Sequence, residues 1–190
     1  MYVHKHKTLY ETFFEYRNVF TDVFMMMLGA ITLAVMANIR IPLWPVPITM
    51  QTFGIFLIAF FFGSRKGIVT ILLYIISGVL GFGVFAGYKS GFTAIIGPTG
   101  GYIIGFIAMV FVVGKLIEKG FGRTKKSVLY CMIVGEVILL ICGLTGLYFY
   151  LGIASIWKVL MLGFVPFIIG DVIKIAMAIP LYPYLFKKGT

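Results

Sequence analysis

The chain has 190 residues, of which 16 are Lys or Arg and only 6 are Asp or Glu; 61% are hydrophobic, and the mean hydropathy is +1.07. A soluble domain cannot bury so much apolar surface, so this composition excludes a soluble globular protein and indicates an all-α polytopic membrane protein. The apolar runs are continuous rather than alternating, which argues against a β-barrel. The net charge of +10 is explained by membrane topology and lipid headgroups, so no nucleic-acid partner is predicted.

Six apolar runs predict six transmembrane helices. We expect a cytoplasmic or interfacial segment over residues 1–21, followed by a transmembrane domain over residues 22–188. The second and third runs are shorter than the ~20 residues that a perpendicular crossing needs. They are therefore expected to be re-entrant, packed inside a bundle, or extended into their flanks. The runs cover residues 22–39, 49–63, 67–82, 96–117, 127–150 and 160–186.

The basic residues predict the orientation of these spans. If the N-terminus is cytoplasmic, the inner segments hold 12 of the 16 Lys and Arg residues. The outer loops then hold three, Arg40, Lys89 and Lys158, and the last span holds Lys174. The positive-inside rule produces this bias, and a wrong number of spans would scramble it. Both termini are therefore predicted to be cytoplasmic.

The N-terminal segment contains a helix-start pattern at Thr8-Leu-Tyr-Glu11. A Thr followed three residues later by Glu is typical of a capping box. The pattern favours a short interfacial helix, and a frayed tail remains the alternative. The apolar face of that helix would comprise Leu9, Phe13, Tyr16 and Phe20.

The spans lack histidine, and the glycine-rich stretch departs from a phosphate-binding loop, which argues against most enzymatic functions. Both histidines lie in the N-terminal tail, so no intramembrane histidine can bind zinc or act as a base. The glycine-rich stretch near residue 88 has Tyr88 where a phosphate-binding loop needs Lys. We expect no cofactor, no metal and no enzymatic activity. An intramembrane enzyme that uses Glu136 and Asp171 is the alternative from another functional class.

Residues 39–51, between the first two spans, form a proline-rich strap. Three prolines within residues 42–47 each fix φ and remove an amide donor, so this backbone is stiff and extended. Such backbone is tolerated at membrane depth when it is buried in protein or lines a cavity. A plain rigid outer loop is the alternative, but Trp44 and Gln51 favour a lid over a binding site.

A glycine-rich loop follows the third span. Nine glycines fall between residues 78 and 105, and glycine permits left-handed backbone and the close approach of a ligand or a helix. We expect the loop over residues 81–91 to shape a pocket, with Tyr88 as an aromatic surface near it. Gly101 and Gly105 form a small-xxx-small pair, which is typical of helix packing.

The last span contains Asp171 and Lys174, which lie at i and i+3 on one helical face and can form an ion pair. A buried structural pair is one interpretation. Gly163, Pro166 and Gly170 loosen the preceding turns, which favours a helix that opens onto a polar cavity. In such a cavity Asp171 would accept N–H bonds, and Lys174 would attract an anion.

The chain contains four motifs: Pro-Val-Pro-Ile-Thr-Met-Gln-Thr-Phe-Gly at 45–54, Val-Phe-Ala-Gly at 84–87, Gly-Pro-Thr-Gly-Gly-Tyr at 97–102 and Asp-x-x-Lys at 171–174. Together, and in this order, they resemble the BioY family. One departure is residues 81–86, Gly-Phe-Gly-Val-Phe-Ala, where relatives commonly read Gly-Leu-Pro-Val-Phe.

The resemblance implies a biotin-specific substrate-binding component, or S-component, of an energy-coupling factor (ECF) transporter in a prokaryotic plasma membrane. It implies a six-helix fold that captures biotin from the extracytoplasmic side, with ATP hydrolysed by partners. Those partners are a transmembrane coupling protein and two cytosolic ATPases. Ala30 and Ala34 fit the small-residue stripe that would dock on the coupling protein, although such pairs are common in membrane helices.

The predicted ligand is biotin, and an S-component for a different vitamin is the nearest alternative. Biotin offers ureido N–H donors, a ureido oxygen, a thioether ring and a valerate carboxylate. Asp171 suits the donors, while Lys174 suits an acceptor or the carboxylate. The predicted substrate-binding residues are Arg40, Trp44, Gln51, Phe85, Gly87, Tyr88, Ser90, Asp171 and Lys174.

Overall fold

A computed structural model of the protein describes residues 6–14, 18–152 and 155–188. This part of the chain is mostly helical, with one short antiparallel hairpin in which β1 (Arg40–Ile41) pairs with β2 (Ile48–Thr49). The helices are α1 (Leu9–Phe13), α2 (Val19–Asn38), α3 (Gln51–Val79), α4 (Phe92–Ile95), α5 (Gly100–Glu118), α6 (Lys125–Leu151), α7 (Ile156–Gly163) and α8 (Phe167–Lys188).

Among the described residues, five helices are long and apolar enough to cross a membrane, namely α2, α3, α5, α6 and α8. The chain is therefore a multi-pass membrane protein, as the sequence predicts. The predicted second and third spans both fall in α3, which carries 29 residues. The predicted count of six thus depends on how α3 is divided.

Helix α3 is two antiparallel arms, residues 51–62 and 64–79, that meet at Gly63. Gly63 has φ +73° and ψ −161°, a conformation that breaks the helix and that is essentially restricted to glycine. Gln51 Nε2 and Tyr74 Oη are 2.9 Å apart. In one straight helix, 23 residues would separate them by about 34 Å. The arms therefore lie side by side and are mostly buried, in agreement with short spans packed inside a bundle.

Helix α5 packs between α3 and α6 at the centre of the molecule. Gly101 lies against the backbone of Gly146, where a Cβ on either glycine would be under 3 Å from the other. Gly105 lies against Leu139 and Cys142 of α6. The small-xxx-small pair thus packs helices as predicted, because only glycine lets the two backbones approach this closely.

The sixth predicted span is interrupted in the structure. Helix α7 ends at Gly163, and α8 begins at Phe167. Pro166 has no N–H to continue the helical hydrogen bonds, and Phe164 already departs from helical geometry at φ −127° and ψ −55°. The loosening expected from Gly163 and Pro166 is therefore a complete break, and it frees the Gly163 carbonyl for another partner.

The N-terminal helix packs against the turn at Gly63. Thr8 and Glu11 form the predicted capping box, so the helix start is confirmed. Helix α1 ends at Phe13, so Phe20 of the predicted apolar face lies on α2 instead; Leu9 is buried, and Phe13 is about half exposed. Residues 1–5 and 15–17 of the predicted N-terminal segment, including Tyr16, lie outside the described residues.

Candidate small-molecule site

A cavity lies between the first arm of α3, α5, α6 and α8. Its atom-free space is about 770 Å³, a figure that includes open solvent at its mouth. Four of the predicted substrate-binding residues line it: Gln51, Phe85, Asp171 and Lys174. Its walls are largely apolar, and the polar and charged residues that line it are Thr49, Gln51, Thr52, Lys89, Thr99, Tyr102, Glu136, Asp171 and Lys174.

An ion pair forms the charged centre of this cavity. Lys174 Nζ donates to Asp171 Oδ1 at 3.0 Å and to Thr52 Oγ1 at 3.3 Å. Lys174 is only 4% exposed. The ammonium group has three N–H donors, and these two bonds leave one without a partner among the described residues. That donor and the remaining Asp171 lone pairs are available to a ligand.

The amide of Gln51 is held in a fixed orientation by its neighbours. Its Nε2 donates to the Tyr74 hydroxyl at 2.9 Å, and its Oε1 accepts from the Thr49 hydroxyl at 3.0 Å. Tyr74 in turn donates to the Val84 carbonyl at 3.2 Å. These bonds join the strap, both arms of α3 and the glycine-rich loop in one network beside the cavity.

The strap and the glycine-rich loop both contribute to the cavity wall. Val46 and Pro47 come from the strap, and Phe85 comes from the loop. The Phe85 ring lies on Gly78, where any Cβ would overlap it, and it packs edge-on against Tyr74 at 5.4 Å between centroids. The strap therefore forms part of the cavity wall, and its role as a lid stays a prediction.

The other predicted substrate-binding residues lie outside the cavity lining. The Arg40 guanidinium lies against Gly87, where an added Cβ would be 3.0 Å away. Trp44 and Tyr88 are 77% and 76% exposed. Ser90 is partly buried in the loop between Phe85 and α4. The structure thus places these five residues around the strap and loop rather than beside Asp171.

Asn38, at the end of α2, positions the turn that contains Gly87 and Tyr88. Its Oδ1 accepts from the Gly87 N–H at 3.0 Å and the Tyr88 N–H at 2.9 Å. Both of those residues have positive φ, at +78° and +57°. The sequence analysis did not single out Asn38, whose only signal is a polar residue in the last turn of an apolar helix.

Tyr102 was also missed as a site residue, although it ends the Gly-Pro-Thr-Gly-Gly-Tyr motif. Its ring lies over Gly143 of α6, and its hydroxyl donates to the Gly163 carbonyl at 2.7 Å. That carbonyl ends α7 and needs a partner, because the last carbonyls of a helix lack intrahelical donors. Tyr102 therefore ties the break before α8 to the cavity wall.

The predicted docking residues Ala30 and Ala34 lie in a groove between α2 and the second arm of α3. Both are partly buried, whereas Met27, Ile31 and Val35 on the same helix are more than 50% exposed. The groove is separate from the cavity that contains Asp171. The docking role of Ala30 and Ala34 stays a prediction.

The fold and the cavity define a multi-pass membrane protein with a charged pair in a largely apolar candidate site. A solved structure described as the S-component for biotin from an ECF-type ABC transporter has the same fold, with a TM-score of 0.74 and 21% identity over 88% of this chain and 92% of that one.

The BioY family profile matches residues 7–189, so the chain belongs to the BioY family. The biotin transporter BioY of Thermotoga maritima is 40% identical over 145 residues, which cover 75% of this chain and 82% of the relative. The probable biotin transporter BioY of Rickettsia prowazekii is 33% identical over 94% of this chain and 92% of its own.

Proposed function

We propose that this chain is the biotin-binding S-component of an ECF-type transporter. The observation that carries the proposal is the Asp171–Lys174 pair, enclosed in a largely apolar cavity of a BioY-family fold. The family consists of transporters, so the chain acts by binding its ligand rather than by turning it over.

The chemistry of the cavity matches the groups of biotin. Asp171 can accept a ureido N–H, and the unpaired donor of Lys174 can reach either the ureido oxygen or the valerate carboxylate. Phe85, Phe106 and Phe167 supply apolar walls for the bicyclic ring and the alkyl chain. A ligand with fewer polar groups would leave the buried pair without partners, which would cost affinity.

The partners we propose are those of the ECF module, a transmembrane coupling protein and two cytosolic ATPases, in the plasma membrane of a prokaryote. Biotin would enter the cavity from the extracytoplasmic side, where the outer-loop residues Arg40, Lys89 and Lys158 are placed by the positive-inside rule. Energy for uptake would come from the ATPases, since the sequence carries no phosphate-binding loop.

Uptake of labelled biotin by cells that carry the chain with or without an ECF module tests this proposal. We expect the module to increase ATP-dependent uptake and unlabelled biotin to abolish it. Excess of other vitamins should not compete. Competition by another vitamin in place of biotin would make the chain an S-component for that vitamin, and uptake indifferent to the module would contradict the S-component role.

A further inference from the structure

Glu136, in the middle of α6, is a buried carboxyl group that the proposed site does not yet use. The residue is only 9% exposed and lines the same cavity as Asp171 and Lys174. Its Oε1 is buried and has no hydrogen-bond partner among the described residues. A buried polar atom without a partner is destabilising, and more so where the group is charged.

The cavity therefore contains an acceptor, Glu136 Oε1, that no donor among the described residues satisfies. Lys174 is the cation that Asp171 contacts, at 3.0 Å, and it has a second bond to Thr52 rather than to Glu136. The charges of Asp171 and Lys174 both act on Glu136, so the three groups form one electrostatic cluster. An ionisable residue at membrane depth usually has a functional partner, and among the described residues Glu136 Oε1 has no hydrogen-bond donor.

We propose that Glu136 is a second ligand-binding acceptor, which binds one N–H of a cyclic urea while Asp171 binds the other. This inference rests on the proposed function, because biotin carries two ureido N–H groups and no other donor once its carboxyl is ionised. A carboxyl group has acceptor capacity in either protonation state, so the role does not depend on its charge. Two acceptors in one cavity match two donors on one ligand, which makes Glu136 a specificity-determining residue for an intact urea.

Equilibrium binding to the purified full-length protein tests the proposal with biotin and with two analogues, each methylated on one of the two ureido nitrogens. The variants are Glu136→Ala, which leaves room for a methyl group, and Glu136→Gln, which keeps the volume and a neutral acceptor. Met132→Leu is the matched control, because Met132 is buried one turn earlier on α6 and does not line the cavity. Thermal melting without ligand shows whether each variant is folded. If Glu136→Ala does not fold, the binding test uses Glu136→Gln alone.

We expect Glu136→Ala to weaken biotin binding about tenfold to a hundredfold, Glu136→Gln to weaken it less, and Met132→Leu to leave it unchanged. Methylation of the nitrogen that Glu136 binds should weaken binding to the wild type much more than binding to Glu136→Ala. Methylation of the other nitrogen should weaken binding to both proteins equally. If the wild type binds biotin and every folded Glu136 variant binds all three ligands as the wild type does, the inference is overturned and the proposed function stands. If the wild type itself does not bind biotin, both are overturned.

Discussion

At the scale of single residues, Asp171 and Lys174 are charged side chains in a largely apolar cavity, where burying a charge costs the most free energy. Removing one partner of a buried ion pair destabilises a protein, yet replacing both partners with apolar residues of similar volume often leaves its stability equal or greater. Stability alone is therefore a weak explanation for the buried Asp171–Lys174 ion pair. A ligand that needs both an acceptor and a donor is a stronger reason, and it can be tested by substitution.

Asp171→Asn should weaken biotin binding about tenfold to a hundredfold, because a hydrogen bond to a charged group is worth roughly 1.5–3 kcal/mol. Equilibrium binding by the purified protein measures the change. Asp22→Asn is the matched control: Asp22 binds Tyr10 and Lys66 at the opposite end of the molecule, so this change should affect stability but not affinity. Equal affinity in Asp171→Asn and wild type would make the pair structural.

Lys174→Met should also weaken binding, since it removes a donor and leaves Asp171 without its cation. Biotin amide, which lacks the carboxylate charge, separates the two possible roles of Lys174. If Lys174 binds the carboxylate, the wild type should prefer biotin over the amide and Lys174→Met should barely distinguish them. If Lys174 binds the ureido oxygen, both proteins should show the same preference between the two ligands.

At the scale of elements, the turn of α3 brings the site together. Gly63 reverses the chain so that Gln51 meets Tyr74, and Glu118 Oε1 accepts from the Ser64 N–H at 2.9 Å and its hydroxyl at 2.7 Å. The carboxylate therefore caps the first turn of the second arm, where the free N–H groups of a helix favour negative charge. Without this turn the network beside the cavity could not form.

Gly63→Ala should lower the melting temperature more than Gly152→Ala does. Both glycines have positive φ, so both substitutions strain the backbone by about 1–3 kcal/mol. At Gly63 the new Cβ also meets Thr8 Cγ2 at 2.9 Å and Glu118 Oε1 at 3.0 Å, whereas nothing lies within 4 Å at Gly152. Thermal melting in detergent measures the difference, and equal shifts would contradict the packing described at the turn.

Bulky substitutions on α2 test the docking stripe. Ala30→Leu and Ala34→Leu should block close helix contact with the coupling protein, so ATP-driven uptake should fall while biotin binding by the isolated chain is kept. Leu28→Phe adds bulk on the opposite, exposed face of α2 and should leave uptake unchanged. Normal uptake and assembly in the alanine variants would make the stripe internal packing.

The sequence predicts the elements better than it predicts their junctions. Continuous apolar runs are enough to locate α2, α5 and α6 and the break between the arms of α3, because helix length and hydropathy are local properties. The separation of α7 from α8 and the anchoring role of Asn38 depend on which groups meet in three dimensions. The same limit applies to the site: Asp171 and Lys174 share a helix, whereas Thr52 and Glu136 join them only through packing.

At the scale of the whole molecule, the two ends of the bundle have different characters. At one end, His6 donates its backbone N–H to the Glu118 carbonyl and Lys66 pairs with Asp22, so the N-terminal helix, the Gly63 turn and the end of α5 lie together. At the other end, the strap and the glycine-rich loop enclose the cavity. The distribution of basic residues predicts that the first end is cytoplasmic.

Single cysteines at positions 89, 126 and 158 test that orientation in intact cells, with the two native cysteines replaced. Positions 89 and 158 should react with an impermeant thiol reagent, and position 126 should not. Because Lys89 lines the cavity, biotin should slow labelling at 89 but not at 158. Labelling at 126 from outside would overturn the orientation, the span count, or both.

The central claim, that this chain alone forms a biotin site around Asp171 and Lys174, is tested most directly by equilibrium binding of labelled biotin to the purified protein without any partner. We expect saturable binding of one biotin per chain that Asp171→Asn weakens and Asp22→Asn does not. Absence of saturable binding by folded wild-type protein, or binding that is unaffected by Asp171→Asn and Lys174→Met, would contradict it.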